Sequence, residues 1–158
     1  MPLDAFDLVF VICAALFNLL IAAIVIARKN GQEGWARRLG AAWLGLGIPL
    51  AVVFVRFLTD GGKESGIVCS FTFVLLYMLV VFLLDHVYRF DYWSKTITHV
   101  PYLLLEYVAL FGVAVISFDI HPVWGRVVSA CFWVLAGSLV YAHWEKLFPR
   151  RQENRWDR

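Results

Sequence analysis

The sequence predicts an all-α integral membrane protein, an antiparallel bundle of five transmembrane helices with the N-terminus outside and the C-terminus in the cytoplasm. Three observations predict this fold class: the composition, the length of the apolar segments and the distribution of Lys and Arg. Hydrophobic residues make up 61% of the 158 positions and charged residues only 16%. A soluble domain has roughly 45–50% apolar and about 25% charged residues, so lipid must be part of the solvent of this chain.

The apolar residues form five blocks, each long enough to cross a bilayer as a helix, which takes about 20 residues. We expect all five to be helices, because a helix satisfies its own backbone hydrogen bonds inside hydrocarbon. Residues 1–148 are therefore predicted to form a single transmembrane domain, followed by a basic cytoplasmic tail at 149–158. The predicted spans are residues 6–27, 39–58, 66–87, 96–118 and 123–144.

Short polar joints separate these spans. Asp4 and Asp7, instead of basic residues, lie at the start of the first span, which is too long for the apolar core of a signal peptide, so we expect it to persist as a helix. Glycine or proline interrupts three of the joints, and charged residues fill the remaining one. The predicted joints are residues 28–38, 59–62, 88–95 and 119–122.

The positive charges indicate the orientation of the bundle. With the N-terminus outside, eleven Lys and Arg residues fall in the inner joints and the tail, and three fall on the outer side. Cytoplasmic loops carry an excess of these residues, so we predict a multi-pass protein of the plasma (cytoplasmic) membrane. The Arg-rich tail is expected to bind anionic lipid headgroups. No nucleic-acid partner is predicted, because Glu153 and Asp157 interrupt the basic tail.

Glu106 is the polar residue with the clearest functional implication. It is the eleventh residue of the fourth predicted span, close to the bilayer midplane, where an acidic side chain costs roughly 2.5–3.5 kcal/mol to insert. Asn18 and Tyr77 lie at a similar depth in the first and third spans, so the three residues are predicted to form one buried hydrogen-bonded cluster. Its functional interpretation is a proton or cation site, or the polar floor of a ligand pocket. Its structural interpretation is interhelical hydrogen bonding around a neutral Glu.

A stripe of polar residues leads from Glu106 toward the cytoplasmic side. His99, Tyr102 and Glu106 are spaced i, i+3 and i+7, so they lie on one face of a helix. Because His titrates near neutral pH, we predict that His99 and Tyr102 form a proton path to Glu106.

Histidines also gather at one depth near the predicted inner face. His86, beside Asp85, closes the third span, His99 opens the fourth and His143 ends the fifth. The set His86, His99, His143 and Asp85 would suit a transition metal, and two of these histidines would suit a haem iron. The structural alternative is that the His rings lie half buried at the membrane interface.

Three functions remain open at the level of sequence. The leading hypothesis is proton- or cation-linked transport, or a channel-type function, through the buried site at Glu106. The first alternative is a membrane-embedded metal or haem enzyme or redox subunit that uses the inner-face histidines. The second is a non-catalytic accessory or assembly subunit, in which Glu106 bonds to a membrane-protein partner or to another copy of the chain. No catalytic motif with recognised spacing is present, so no reaction is predicted.

Overall fold

The computed structural model describes residues 4–59, 65–84 and 96–147, and for residues 96–103, 143 and 145–147 it describes the backbone. Throughout these ranges the regular structure is helical, and they contain no strand. The helices are α1 (Ala5–Lys29), α2 (Glu33–Gly45), α3 (Gly47–Thr59), α4 (Ser65–Phe82), α5 (Thr96–Ile120) and α6 (Pro122–Leu147).

The all-helical class predicted from the sequence is confirmed. Helices α2 and α3 follow each other with one intervening residue and form a single bent helix, Glu33–Thr59, so the described residues contain five long helices. Four of these are long and apolar enough to cross a membrane: Ala5–Lys29, Glu33–Thr59, Ser65–Phe82 and Pro122–Ala142. The fifth, α5, is 25 residues long.

The turn between α1 and α2 is much shorter than the predicted joint at 28–38. Gly31 adopts a positive φ of 71°, a conformation that glycine reaches without steric cost. Its N–H donates to the Arg28 carbonyl, and the Gln32 N–H donates to the Ala27 carbonyl. This is a Schellman motif, which satisfies the last carbonyls of a helix. Because the chain reverses within three residues, α2 already begins at Glu33, within the predicted joint.

A break at Leu46 bends the second long helix. Pro49 has no N–H to donate to the carbonyl of Gly45, one turn earlier, and proline rings also crowd the preceding turn. The Leu46 N–H donates to the Trp43 carbonyl, and the Leu50 N–H donates to the Leu46 carbonyl. The helix therefore tightens for one turn and then continues as α3. Proline is the usual cause of such a bend.

The turn between α5 and α6 consists of His121 alone, where a joint over 119–122 was predicted. The Val123 N–H donates to Nδ1 of His121 at 3.2 Å, so the imidazole caps the first turn of α6. Pro122 occupies the first helical position, which suits its fixed φ and missing N–H. Gly125 permits this tight turn by having no side chain, because a Cβ there would lie only 2.8 Å from the Cα of Phe118.

Helix α1 lies at the centre of the bundle. It packs against α2, α3, α5 and α6, while α4 packs against α3 and α5. At the C-terminal ends of α1 and α6, the Tyr141 hydroxyl donates to Oδ1 of Asn30 at 3.4 Å, so these two ends lie on the same side. Phe71 of α4 packs against aromatic rings of α1 and α3 in the core: its ring centroid lies 5.1 Å from that of Phe10 and 5.2 Å from that of Phe54.

Candidate functional site

Glu106 and Tyr77 meet because α4 and α5 run antiparallel in close contact. At Gly112 of α5, a Cβ would lie 3.1 Å from the backbone oxygen of Ser70 in α4, so the two backbones approach closely there. Six residues earlier in α5 is Glu106, and seven residues later in α4 is Tyr77. At 1.5 Å rise per residue the two residues reach the same level. Their side chains are close enough to interact.

The ring of Tyr77 is fixed by two aromatic neighbours. Its centroid lies 5.7 Å from that of Trp43, edge-on, and 6.3 Å from that of Phe17. The rings of Phe17 and Trp43 are themselves 5.1 Å apart. We call Phe17, Trp43 and Tyr77 the central aromatic layer; it joins α1, α2 and α4, and all three side chains are buried. Because the ring has little freedom, the Tyr77 hydroxyl is held where Glu106 meets it.

Asn18 does not join this interaction, so the predicted three-residue cluster is wrong in that respect. Its Nδ2 donates to the Ala14 carbonyl of its own helix at 3.0 Å, and no described residue bonds to its Oδ1. The sequence argument matched residues by depth, and depth does not fix the direction of a side chain around its helix. Asn18 is nevertheless a direct neighbour in the chain of Phe17, and it is only 1% exposed.

Trp43 is a candidate site residue that the sequence reasoning missed. The indole is 3% exposed, yet its Nε1–H has no acceptor among the described residues. Buried Trp N–H groups usually find a partner, and leaving a buried donor or acceptor unsatisfied costs about 1–3 kcal/mol. In the predicted span 39–58, Trp43 is only the fifth residue, close to the interface where Trp residues gather, so the sequence contained no signal of its deep burial.

The predicted proton path and metal ligands lie partly beyond the described structure. Asp85 and His86 fall outside the described residues. His99 and Tyr102 are on the first two turns of α5 and His143 is near the end of α6, with the backbone alone described, so the proton path and the metal or haem site stay predictions. Among the side chains that the structure describes, no group of three or more His, Cys, Asp and Glu residues is arranged to hold a metal ion.

An open groove of about 440 Å³ flanks the central aromatic layer. One wall belongs to the end of α2 and the start of α3, the other to one face of α4. The walls include Leu44, next to Trp43 in the chain, and Met78, next to Tyr77; the two rings themselves do not line the groove. Its lining is apolar or glycine throughout: Ala41, Leu44, Gly45, Gly47, Leu75, Met78, Leu79 and Phe82.

No protein-family model, curated protein or solved structure matches this chain. Its own geometry defines the class of molecule. The chain forms an all-helical bundle in which four helices are long and apolar enough to cross a membrane. Its interior contains one interacting Tyr–Glu pair and, among the described residues, two buried polar atoms without a hydrogen-bond partner.

Proposed function

We propose that this chain is an integral membrane protein in which all five long helices cross the bilayer, with the N-terminus outside and the C-terminus in the cytoplasm. Large apolar side chains on several helices point away from the bundle: Ile48 is 73% exposed, and Phe111 and Trp133 are each 72% exposed. In water each exposed side chain would lose roughly 25 cal/mol of hydrophobic stabilisation for every Å² of apolar surface that stays unburied. Lipid tails solvate these side chains without that cost.

The orientation is supported by the basic residues of the described helices. Four of them surround the turn between α1 and α2, namely Arg28, Lys29, Arg37 and Arg38. At the opposite end of the bundle the described residues contain two, Arg56 near the end of α3 and Arg126 near the start of α6. The excess of positive charge marks the cytoplasmic side, which places the α1–α2 turn inside and supports a multi-pass protein of the plasma membrane.

Within this fold we infer a proton- or cation-linked transport or channel-type function, with Glu106 as the binding group. The observation that supports it is the interaction between the side chains of Tyr77 and Glu106 inside the bundle. Glu106 is the acidic residue that lies in the middle of a described helix; the other acidic residues with described side chains are close to helix ends, namely Asp4, Asp7, Glu33 and Asp119. An acidic group at such a depth is expensive, and in membrane proteins it typically marks an ion or proton pathway.

The Tyr77–Glu106 pair is chemically suited to gaining and losing a proton. A phenol both donates and accepts hydrogen bonds, and a carboxyl group accepts when ionised and donates when protonated. Tyr77 can therefore donate to ionised Glu106 or accept from protonated Glu106 without moving its ring. The pair can keep one hydrogen bond in both protonation states, so the proton can enter and leave without breaking the contact between α4 and α5.

Proton flux into liposomes tests this proposal. The purified chain is reconstituted into vesicles that contain a trapped pH-sensitive dye, and a pH or potassium gradient drives the flux. Glu106→Gln preserves the shape and the capacity to hydrogen-bond but cannot titrate, so we expect it to abolish protein-dependent flux. Glu33→Gln makes the same chemical change at an exposed helix start and should leave the flux unchanged. Full flux through Glu106→Gln would reject the proposal.

An accessory or assembly subunit is the second candidate, favoured by the exposed aromatic residues on α5 and α6. Phe111 and Trp133 point outward from helices that pack against each other, and aromatic residues are enriched in the cores of protein interfaces. A partner helix or a second copy of the chain would cover them. Crosslinking in native membranes, followed by purification in mild detergent, would reveal a stoichiometric partner or a homo-oligomer.

A further inference from the structure

The interior of the bundle contains one unused hydrogen-bond donor and one unused acceptor. The donor is Nε1–H of Trp43 in α2, and the acceptor is Oδ1 of Asn18 in α1; each is buried and without a partner among the described residues. Asn18 follows Phe17 in the chain, and the ring of Phe17 lies against that of Trp43. Both unused atoms thus belong to, or directly adjoin, the central aromatic layer.

The two atoms can form hydrogen bonds with the same class of ligand. A donor and an acceptor within an apolar core call for small molecules that both accept and donate, and buried water is the usual solution in proteins. A larger polar ligand would need several convergent polar groups, whereas these two atoms sit among aromatic rings.

We propose that the central aromatic layer is an internal water-binding site, in which Trp43 Nε1–H donates to bound water and Asn18 Oδ1 accepts from it. Water there lies beside the ring of Tyr77, whose side chain interacts with Glu106. It extends the Tyr77–Glu106 pair into a longer hydrogen-bonded chain, along which a proton moves by successive transfers between neighbouring oxygens. This use as a proton relay rests on the proposed function; the binding of water does not.

NMR spectroscopy of the full chain in lipid nanodiscs tests the site. With ¹⁵N-labelled tryptophan, the seven Trp residues give separate indole N–H signals. The Trp43 signal is identified by its NOEs to the rings of Phe17 and Tyr77. We expect a dipolar cross-peak between the Trp43 indole proton and water, with slow exchange into deuterium oxide because the indole is buried. Trp35, which is exposed at the start of α2, serves as the control that contacts and exchanges with bulk water.

Two results would overturn the proposal. One is a Trp43 indole proton that shows no cross-peak to water while that of Trp35 does. The other is a high-resolution structure of the chain in lipid with no ordered density within hydrogen-bonding distance of Trp43 Nε1. Both measurements are independent of transport. Loss of the water signal with intact, Glu106-dependent flux would reject the water site alone, and a clear water signal without flux would reject the transport function alone.

Discussion

The side chains of Tyr77 on α4 and Glu106 on α5 interact across the contact between the two helices. The Tyr77 ring packs against Trp43 and Phe17, so this interaction links α5 to a core that α1 and α2 also build. One polar contact therefore connects four of the five long helices. Its removal should affect the stability of the bundle as well as its proposed activity, and the two effects can be separated.

The first prediction concerns the strength of this interaction. Tyr77→Phe and Glu106→Ala each remove it, and each should lower the free energy of unfolding by about 1 kcal/mol. Because both changes remove the same contact, the double variant should cost less than the sum of the single variants. Glu106→Gln keeps an acceptor for the phenol and should unfold like the wild type. Reversible unfolding in a mixed-micelle titration measures all four proteins.

A strictly additive double variant would contradict this prediction, because it would show that the two side chains do not stabilise each other. A Glu106→Gln variant as unstable as Glu106→Ala would also contradict it. In that case the charge of the carboxylate, and not its capacity to accept a hydrogen bond, would hold the helices together.

The sequence predicted the long helices well because their length is set by the number of consecutive apolar residues. The helices also extend into the predicted joints, because the length of a turn depends on local turn chemistry. Gly31 and His121 each reverse the chain within one to three residues, by a Schellman motif and by a side-chain cap. The distribution of apolar residues does not reveal these turn motifs. The charged residues near the turns were therefore assigned to joints, although many of these residues are helical.

The candidate site was predicted in part for a similar reason. Counting residues along each span gives depth, and depth suggested the pair of Tyr77 and Glu106. It also selected Asn18, whose amide bonds to its own helix, because the angle around a helix axis is decided by packing that one sequence does not show. Trp43 was overlooked because a Trp in an apolar block counts as apolar, and its N–H matters only once the ring is seen to be buried.

The second prediction concerns orientation. A reporter fused after Arg158 should lie in the cytoplasm, because basic residues mark that side. A cysteine introduced at Gly62, in the predicted outer joint between the second and third spans, should react with a membrane-impermeant maleimide added to intact cells. The background should lack Cys13, Cys69 and Cys131, which are free thiols. A cysteine introduced at Gly34, which is exposed at the start of α2 and has room for a side chain, is the matched control and should react only after the membrane is opened.

The reverse labelling pattern would show that the bundle has the opposite orientation in the membrane. It would place the α1–α2 turn outside, and it would direct the predicted His99–Tyr102 path to the outer surface instead of the cytoplasm. The internal interaction of Tyr77 with Glu106 does not depend on this result, so the flux experiment would remain informative.

The third prediction belongs to the metal and haem interpretation of the inner-face histidines. If they bind a metal, protein purified from metal-supplemented cells should contain near-stoichiometric zinc, iron or copper, and haem would give a Soret band. His99→Ala should lose the metal, because neutral imidazole is a preferred ligand of these ions. His121→Ala is the control, since that imidazole caps α6 at the opposite end of α5. A colourless, metal-free wild-type preparation would reject the interpretation.

The last prediction compares two glycines of the same helix that have different surroundings. Gly125 is buried against the turn before α6, where an added Cβ would lie 2.8 Å from the backbone Cα of Phe118. A backbone atom cannot rotate away as a side chain does, so Gly125→Ala should force α5 and α6 apart and cost about 1–3 kcal/mol, as overpacking does. Gly137 is exposed, and a Cβ there meets no atom within 4 Å. Gly137→Ala should therefore be neutral or stabilising by up to about 1 kcal/mol, because alanine favours helix more than glycine does. Thermal unfolding in one detergent measures both variants. Equal stability of the two would show that the tight turn at His121 does not form as described.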